Sequence, residues 1–204
     1  MVDDAGSALG PAPARTYPFG PKLGVDVGQV RVGLAGCDRD GLLATPIRTM
    51  KRDARKNSDI RILVREAAER GVVQIFVGLP KQLSGREGAS ADMARTYAEL
   101  LVHELRRQAL PVPVRLIDER LSTVSAHRSL HSAGLGSREH RKVVDQVAAV
   151  EILQHAIDMQ RSRERDVGDP VSAREETPLR AQLLTSTEEP VINDQSSSRR
   201  VSET

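Results

Sequence analysis

Three acidic positions stand where structural needs alone would not put a charge. Asp26 interrupts the apolar run Leu23-Gly24-Val25-Asp26-Val27, and a strand interior disfavours Asp on both propensity and burial. Gly24 and Gly28 share its face and would leave room beside it for a phosphate or a metal; alternatively, Asp26 caps the turn at Gly28. Asp118-Glu119 follows Val112-Pro113-Val114-Arg115-Leu116-Ile117, at the strand's carboxyl end, where open α/β sheets build their sites. The competing role for this pair is an acidic helix start before Ser122. At 100° per residue Asp145 shares one helix side with Ala148, Ala149, Ile152 and Ala156. A carboxylate on that stripe needs a metal or a partner such as a core Arg or Lys142.

Brought to one sheet edge, these carboxylates repel one another unless a cation fills the space between them. Oxygen-only donors suit Mg²⁺ or Mn²⁺, and the five His and single Cys37 offer no zinc spacing. Two such ions would clamp the attacking water and the leaving oxygen of a phosphodiester.

The elements that must position these acids lie between residues 21 and 160. Lys22–Gly28 and Val30–Leu34 alternate around a turn and predict a hairpin. Leu42–Lys51 is a third strand with Pro46 near an edge or bulge. Ser58–Arg70 is a helix capped by Ser58 or Asn57 and stopped by Gly71. The β-branched run Val72–Leu79 is a central strand; a helix over about Ala89–Gln108 and a fifth strand at Val112–Ile117 follow. Ser122–Ala133 and Lys142–Met159 are the last helices. The order βββαβαβαα predicts an α/β fold, a mixed five-stranded sheet with helices on both faces.

Residues 1–20, rich in Gly, Pro and Ala, predict a flexible arm. Residues 161–204, charged and Ser-rich, predict a disordered tail that cannot bury enough surface to offset its ordering entropy. The net charge is +2, with 7 Arg against 9 acids from Arg161 onward, which leaves +4 on the preceding 160 residues, a mild bias towards a polyanion. With 2% aromatics and no Trp, a base-stacking platform is disfavoured. One cysteine excludes an intramolecular disulfide, and no apolar run is long enough for a membrane span. No signal peptide is evident, so a cytoplasmic location is expected.

Four motifs in order make the pattern specific: Gly24-Val25-Asp26-Val27-Gly28-Gln29-Val30-Arg31-Val32-Gly33; Val77-Gly78-Leu79-Pro80 with Ser84-Gly85 and Glu87-Gly88; Asp118-Glu119-Arg120-Leu121-Ser122-Thr123; and Lys142-Val143-Val144-Asp145 with Ala148-Ala149 and Ile152-Leu153. Over residues 22 to about 157 they resemble the YqgF (RuvX) family. The resemblance implies an RNase H-like fold related to RuvC-type junction resolvases and a metal-dependent nuclease activity in maturation of the pre-16S rRNA 5′ end. By position it makes Asp26, Glu119 and Asp145 the catalytic, metal-binding acids, with Asp118 the alternative to Glu119, since neighbours on a regular strand point oppositely. Gln29 and Val30 depart from the family's usual hydroxyl and basic residues; Arg31 is retained. Arg31, Lys81, Arg86, Arg120 and Lys142 are the expected nucleic-acid contacts, and Arg48, Lys51, Arg52, Arg55 and Lys56 form a denser cluster after the third strand that is a further candidate. The implied partners are nucleic acid, pre-rRNA or alternatively branched DNA, and ribosomal or processing factors. Competing functions are a Holliday-junction resolvase and a binding factor with a vestigial site; an RNase H-like kinase would need a second domain to enclose its nucleotide.

Overall fold

The strands pair in the order β3-β2-β1-β4-β5-β6. The structure is a computed structural model that describes residues 16–80, 88–118 and 138–172, the side chains of 138–144 excepted; these residues lie within one unit, Met1–Ala173. β1 (Lys22–Val27) and β2 (Arg31–Cys37) form the predicted hairpin, with Gly24 opposite Ala35 and Asp26 opposite Gly33. β3 (Ala44–Lys51) extends it antiparallel as the sheet's edge, and the register slips at Leu34/Ala35 against Pro46 and Arg48, the bulge that the proline favours. β4 (Gln74–Leu79) and β5 (Val114–Asp118) then add in parallel.

Alternation along these strands divides the core. One face presents Leu23, Val25, Val27, Val32, Leu34, Ile75, Val77, Val114 and Leu116 to α1 (Ser58–Glu69) and α2 (Ala89–Arg107). The other presents Ala35, Phe76 and Ile117 to Ala149, Ile152, Leu153, Ala156 and Ile157 of α3 (Arg138–Arg163). Helices therefore cover both faces, as predicted. α1 ends as Gly71 takes a left-handed φ of 58°. Its predicted cap differs: Asn57 is itself left-handed at φ 51° and makes no side-chain cap, while the Ser58 hydroxyl donates to Asp53 Oδ2 at 2.6 Å.

Both ends of the domain differ from the sequence reading, and several elements shift by a few residues. The sheet has six strands rather than five: β6 (Asp169–Pro170) pairs antiparallel with β5. Residues 161–172 thus belong to the folded domain and not to a loose tail. They are held by polar contacts rather than an apolar face: Arg115 pairs with Asp166 at 2.9 Å and donates to the Val167 and Gly168 carbonyls, while Gln74 and Gln160 donate to Asp166 Oδ1 at 2.8 and 2.9 Å. Val167 alone is buried there, so hydrophobic patterning had nothing to detect. At the other end Thr16 bridges Arg165 and Gly20 is buried, so the arm is fastened before residue 21. Residues 1–15, the predicted helix 122–133 and residues 173–204 lie outside the described residues. Among the described residues no helix is long and apolar enough to cross a membrane.

Candidate active site

The site is set by how α3 lies on the hairpin. A Cβ at Gly33 would overlap the Asp145 carbonyl oxygen and stand 3.4 Å from the Asp145 Cβ; one at Gly24 would stand 2.6 Å from both the Ala149 carbonyl oxygen and the Leu153 Cβ. Helix backbone thus rests directly on strand backbone at two glycines. Gly24 was expected to leave room for a phosphate; its space is filled by α3. Gly28 serves the turn, its N–H donating to the Arg31 carbonyl at 2.9 Å. The far end of α3 is fastened by Gln154, which accepts from Ala44 N–H at 2.9 Å and donates to the Leu42 carbonyl at 3.1 Å.

This seating brings two of the predicted acids to one place. Asp26 is the cross-strand partner of Gly33, and Gly33 carries Asp145 on its surface. Both acids are half-buried. Arg31, two residues before Gly33 on the same face, donates its Nε–H to Asp145 Oδ2 in an ion pair. The core-Arg partner considered for Asp145 from the sequence is therefore present, and Arg31, expected on phosphate, is engaged with a site acid. Asp118 ends β5 opposite Leu79, in the pleat position of Val114 and Leu116, so alternation sets it on the α1/α2 side of the sheet. Glu119, Arg120, Lys81 and Arg86 lie outside the described residues, as does the side chain of Lys142.

The two acids brought together offer hard carboxylate oxygens, which suit Mg²⁺ or Mn²⁺. Cys37 pairs with Ala44 at the opposite end of the sheet, and His155 lies ten residues along α3 from Asp145, about 15 Å away. Among the described residues no three acids, His or Cys assemble a metal site, and Glu119, the residue after β5, lies outside them. Burial lowers the His155 imidazole pKa, opposed by the Asp158 carboxylate, and its buried Nε2 has no hydrogen-bond partner among the described residues. Sequence reasoning had passed over this group, which lacks any motif spacing.

The domain is a mixed α/β fold that carries Asp26 near the end of its first strand and Asp145 on the helix packed against the same face of the sheet. Residues 20–159 match the RuvX family, described as "Holliday junction resolvase", and the chain belongs to that family. A relative from Kineococcus radiotolerans is 51% identical over 143 residues, covering 70% of this chain and 74% of its own. One from Mycobacteroides abscessus is 46% identical over 155 residues, 74% of this chain and 91% of its own. Both are named "Putative pre-16S rRNA nuclease". Among solved structures, "T. thermophilus RuvC in complex with Holliday junction substrate" aligns over 74% of this chain and 99% of that one, with a TM-score of 0.46 and 15% identity.

Proposed function

We propose that this protein is a metal-dependent endonuclease that cleaves phosphodiester bonds of structured RNA, in maturation of the 5′ end of pre-16S rRNA. The observation that carries the reading is the seating of Asp145 on Gly33, directly across from Asp26. The names of relatives about half identical to the chain support the RNA substrate.

Asp26, Asp145 and Glu119, with Asp118 as the alternative to Glu119, would hold one or two Mg²⁺ or Mn²⁺ ions. When bound, such ions would polarise a phosphoryl oxygen and favour deprotonation of the attacking water. The chain's own contribution is position. The two glycine contacts fix α3 against the hairpin, so the Asp145 carboxylate has little freedom to drift from Asp26. Arg31 neutralises Asp145 when no metal is bound, which lessens the repulsion that two adjacent carboxylates impose. Lys81, Arg86, Arg120 and Lys142 are assigned to the substrate backbone, while Arg31 is held by Asp145, and ribosomal or processing factors are proposed partners.

The family's description supports a second reading, resolution of branched DNA, which shares the same acids and differs in the surface that recognises substrate. The test is Mn²⁺-dependent cleavage of a pre-16S rRNA 5′ fragment and of a matched DNA four-way junction, with wild type and Asp26→Asn. Cleavage of the RNA alone, lost in the variant and in EDTA, is expected. Cleavage of the junction alone would move the assignment to DNA, and full activity in EDTA would overturn the metal mechanism.

A further inference from the structure

The five cations after the hairpin, Arg48, Lys51, Arg52, Arg55 and Lys56, read in the sequence as one cluster, and the structure separates them. Arg48 and Arg52 turn to the α1/α2 side. Arg48 reaches Glu66 at 3.7 Å. Arg52, with only 10% of its side chain exposed, pairs with Asp59 at 2.9 Å, donates to Asn57 Oδ1 and lies over the Tyr97 ring at 5.0 Å. These two are structural. Lys51 has the opposite parity. It is the cross-strand partner of Arg31, so it stands on the face that carries Arg31, Gly33 and Asp26, and it is exposed.

Beyond Lys51 the chain stays at this end of the sheet: Arg52 N–H donates to the Val30 carbonyl at 2.9 Å, and Asn57 N–H closes a turn on the Asp53 carbonyl at 2.8 Å. The turn displays Arg55 and Lys56, both exposed. Asp53, the acid within it, is committed to the Ser58 hydroxyl and the Lys56 N–H. Lys51, Arg55 and Lys56 make no ion pair with the described residues. By strand spacing the Lys51 Cα lies about 12 Å from that of Asp26. The four aromatic residues are elsewhere: Tyr97 and Phe76 are buried in the two cores, and Tyr17 and Phe19 precede β1, away from its Asp26 end. The surface therefore offers positive charge and no ring on which a base could stack.

We infer that Lys51, Arg55 and Lys56 form a phosphate-contacting flank on the β3 side of the active site, which grips the backbone of a structured RNA independently of base sequence. The inference rests on the nuclease reading above for its substrate and adds the direction in which that substrate leaves the site, over β3 and the 53–57 turn. Contacts of this kind act through counterion release, so they appear in the salt dependence of binding.

The test is fluorescence anisotropy with the full chain in EDTA, using an RNA stem of about 20 base pairs across a salt series of about 50–200 mM. Wild type is compared with the triple variant Lys51→Gln, Arg55→Gln, Lys56→Gln and with a control of equal charge, Arg39→Gln, Arg65→Gln, Arg106→Gln, whose sites are exposed on other surfaces. The flank variant should weaken binding about ten-fold or more and flatten the log–log salt slope by about 2, while the control changes both much less. Thermal melts establish that each variant folds; if the triple variant does not, Lys51→Gln alone should still flatten the slope by nearly one. Equal losses in flank variant and control would overturn the proposal, as would a wild type that does not bind the stem. Cleavage of the pre-16S fragment by wild type is read separately. A wild type that binds through the flank but never cleaves leaves the flank standing and removes the nuclease reading; one that cleaves without using the flank does the reverse.

Discussion

On the α1/α2 side the sheet meets its helices through large side chains: Leu23, Leu34 and Ile75 against Ile60, Leu63, Leu101 and Leu105, all nearly or fully buried. On the α3 side the contact nearest the acids rests on two glycines, Gly24 and Gly33, set against helix backbone at Ala149 and Asp145, with the Arg31–Asp145 ion pair beside it. Interdigitated leucines can repack around a lost methylene at a cost in stability. A carbonyl lying against a glycine cannot shift without moving the helix. The first face holds the fold together, and the second sets where Asp145 stands.

The sharpest way to break that contrast is Gly33→Ala. Its new methyl falls on the Asp145 carbonyl, so the helix must lift; cleavage should be lost and stability should fall by about 3 kcal/mol or more. Urea titration and single-turnover cleavage measure both, and a variant with wild-type rate would show that α3 is not held by this contact. Leu101→Ala, on the other face, should lose about 2–5 kcal/mol as a core truncation. Assayed well below its new midpoint it should nevertheless cleave at the wild-type rate. A fall in rate with folding intact would erase the distinction between the faces.

A smaller effect is expected within the site. Mg²⁺ at ten times its Kd should stabilise wild type by about 1.4 kcal/mol, because it binds only the native state, and Asp26→Asn should lose that increment. Calorimetric melts with and without the ion decide it; equal shifts in both proteins would place the ion elsewhere. The smallest effect concerns His155, whose folded pKa lies below its unfolded value of about 6.5. The unfolded chain then binds the proton more readily, so stability is full above that pH and falls as pH drops from about 6.5 towards the folded pKa. His155→Gln should flatten this part of the pH–stability curve, and an unchanged slope would show that another group titrates there.

The sequence made most of both faces legible, by different signals. Period-two alternation over 22–28 and 30–34 pointed to the hairpin, and the β-branched run before Pro80 to β4. Asp145 was correctly placed at the head of an apolar stripe, since Ala148, Ala149, Ile152 and Ala156 are all buried. What alternation could not give was the identity of the neighbour: a glycine two residues from an acid on the same strand face is equally compatible with a phosphate, a metal or a helix, and only the tertiary fold chose the helix for Gly24. The cluster from Arg48 to Lys56 was legible as charge but not as two populations, because parity on β3 has meaning only once Arg31 is known to face Lys51. β6 was invisible for another reason. Two residues, one of them proline, carry no periodicity, and the segment around them is fixed by Arg115 and Asp166, which lie 51 positions apart (166 minus 115) in the chain.

That late closure has a consequence for synthesis. The strands β1 to β5 are complete at Asp118, yet the helix that covers Ala35, Phe76 and Ile117 ends at Arg163 and the edge strand at Pro170. At about 5–20 residues per second, a ribosome needs roughly 2–9 s to make the chain from 118 to 163. Throughout that interval the helix that covers Ala35, Phe76 and Ile117 is still being made, so these apolar side chains wait for the last described helix of the domain.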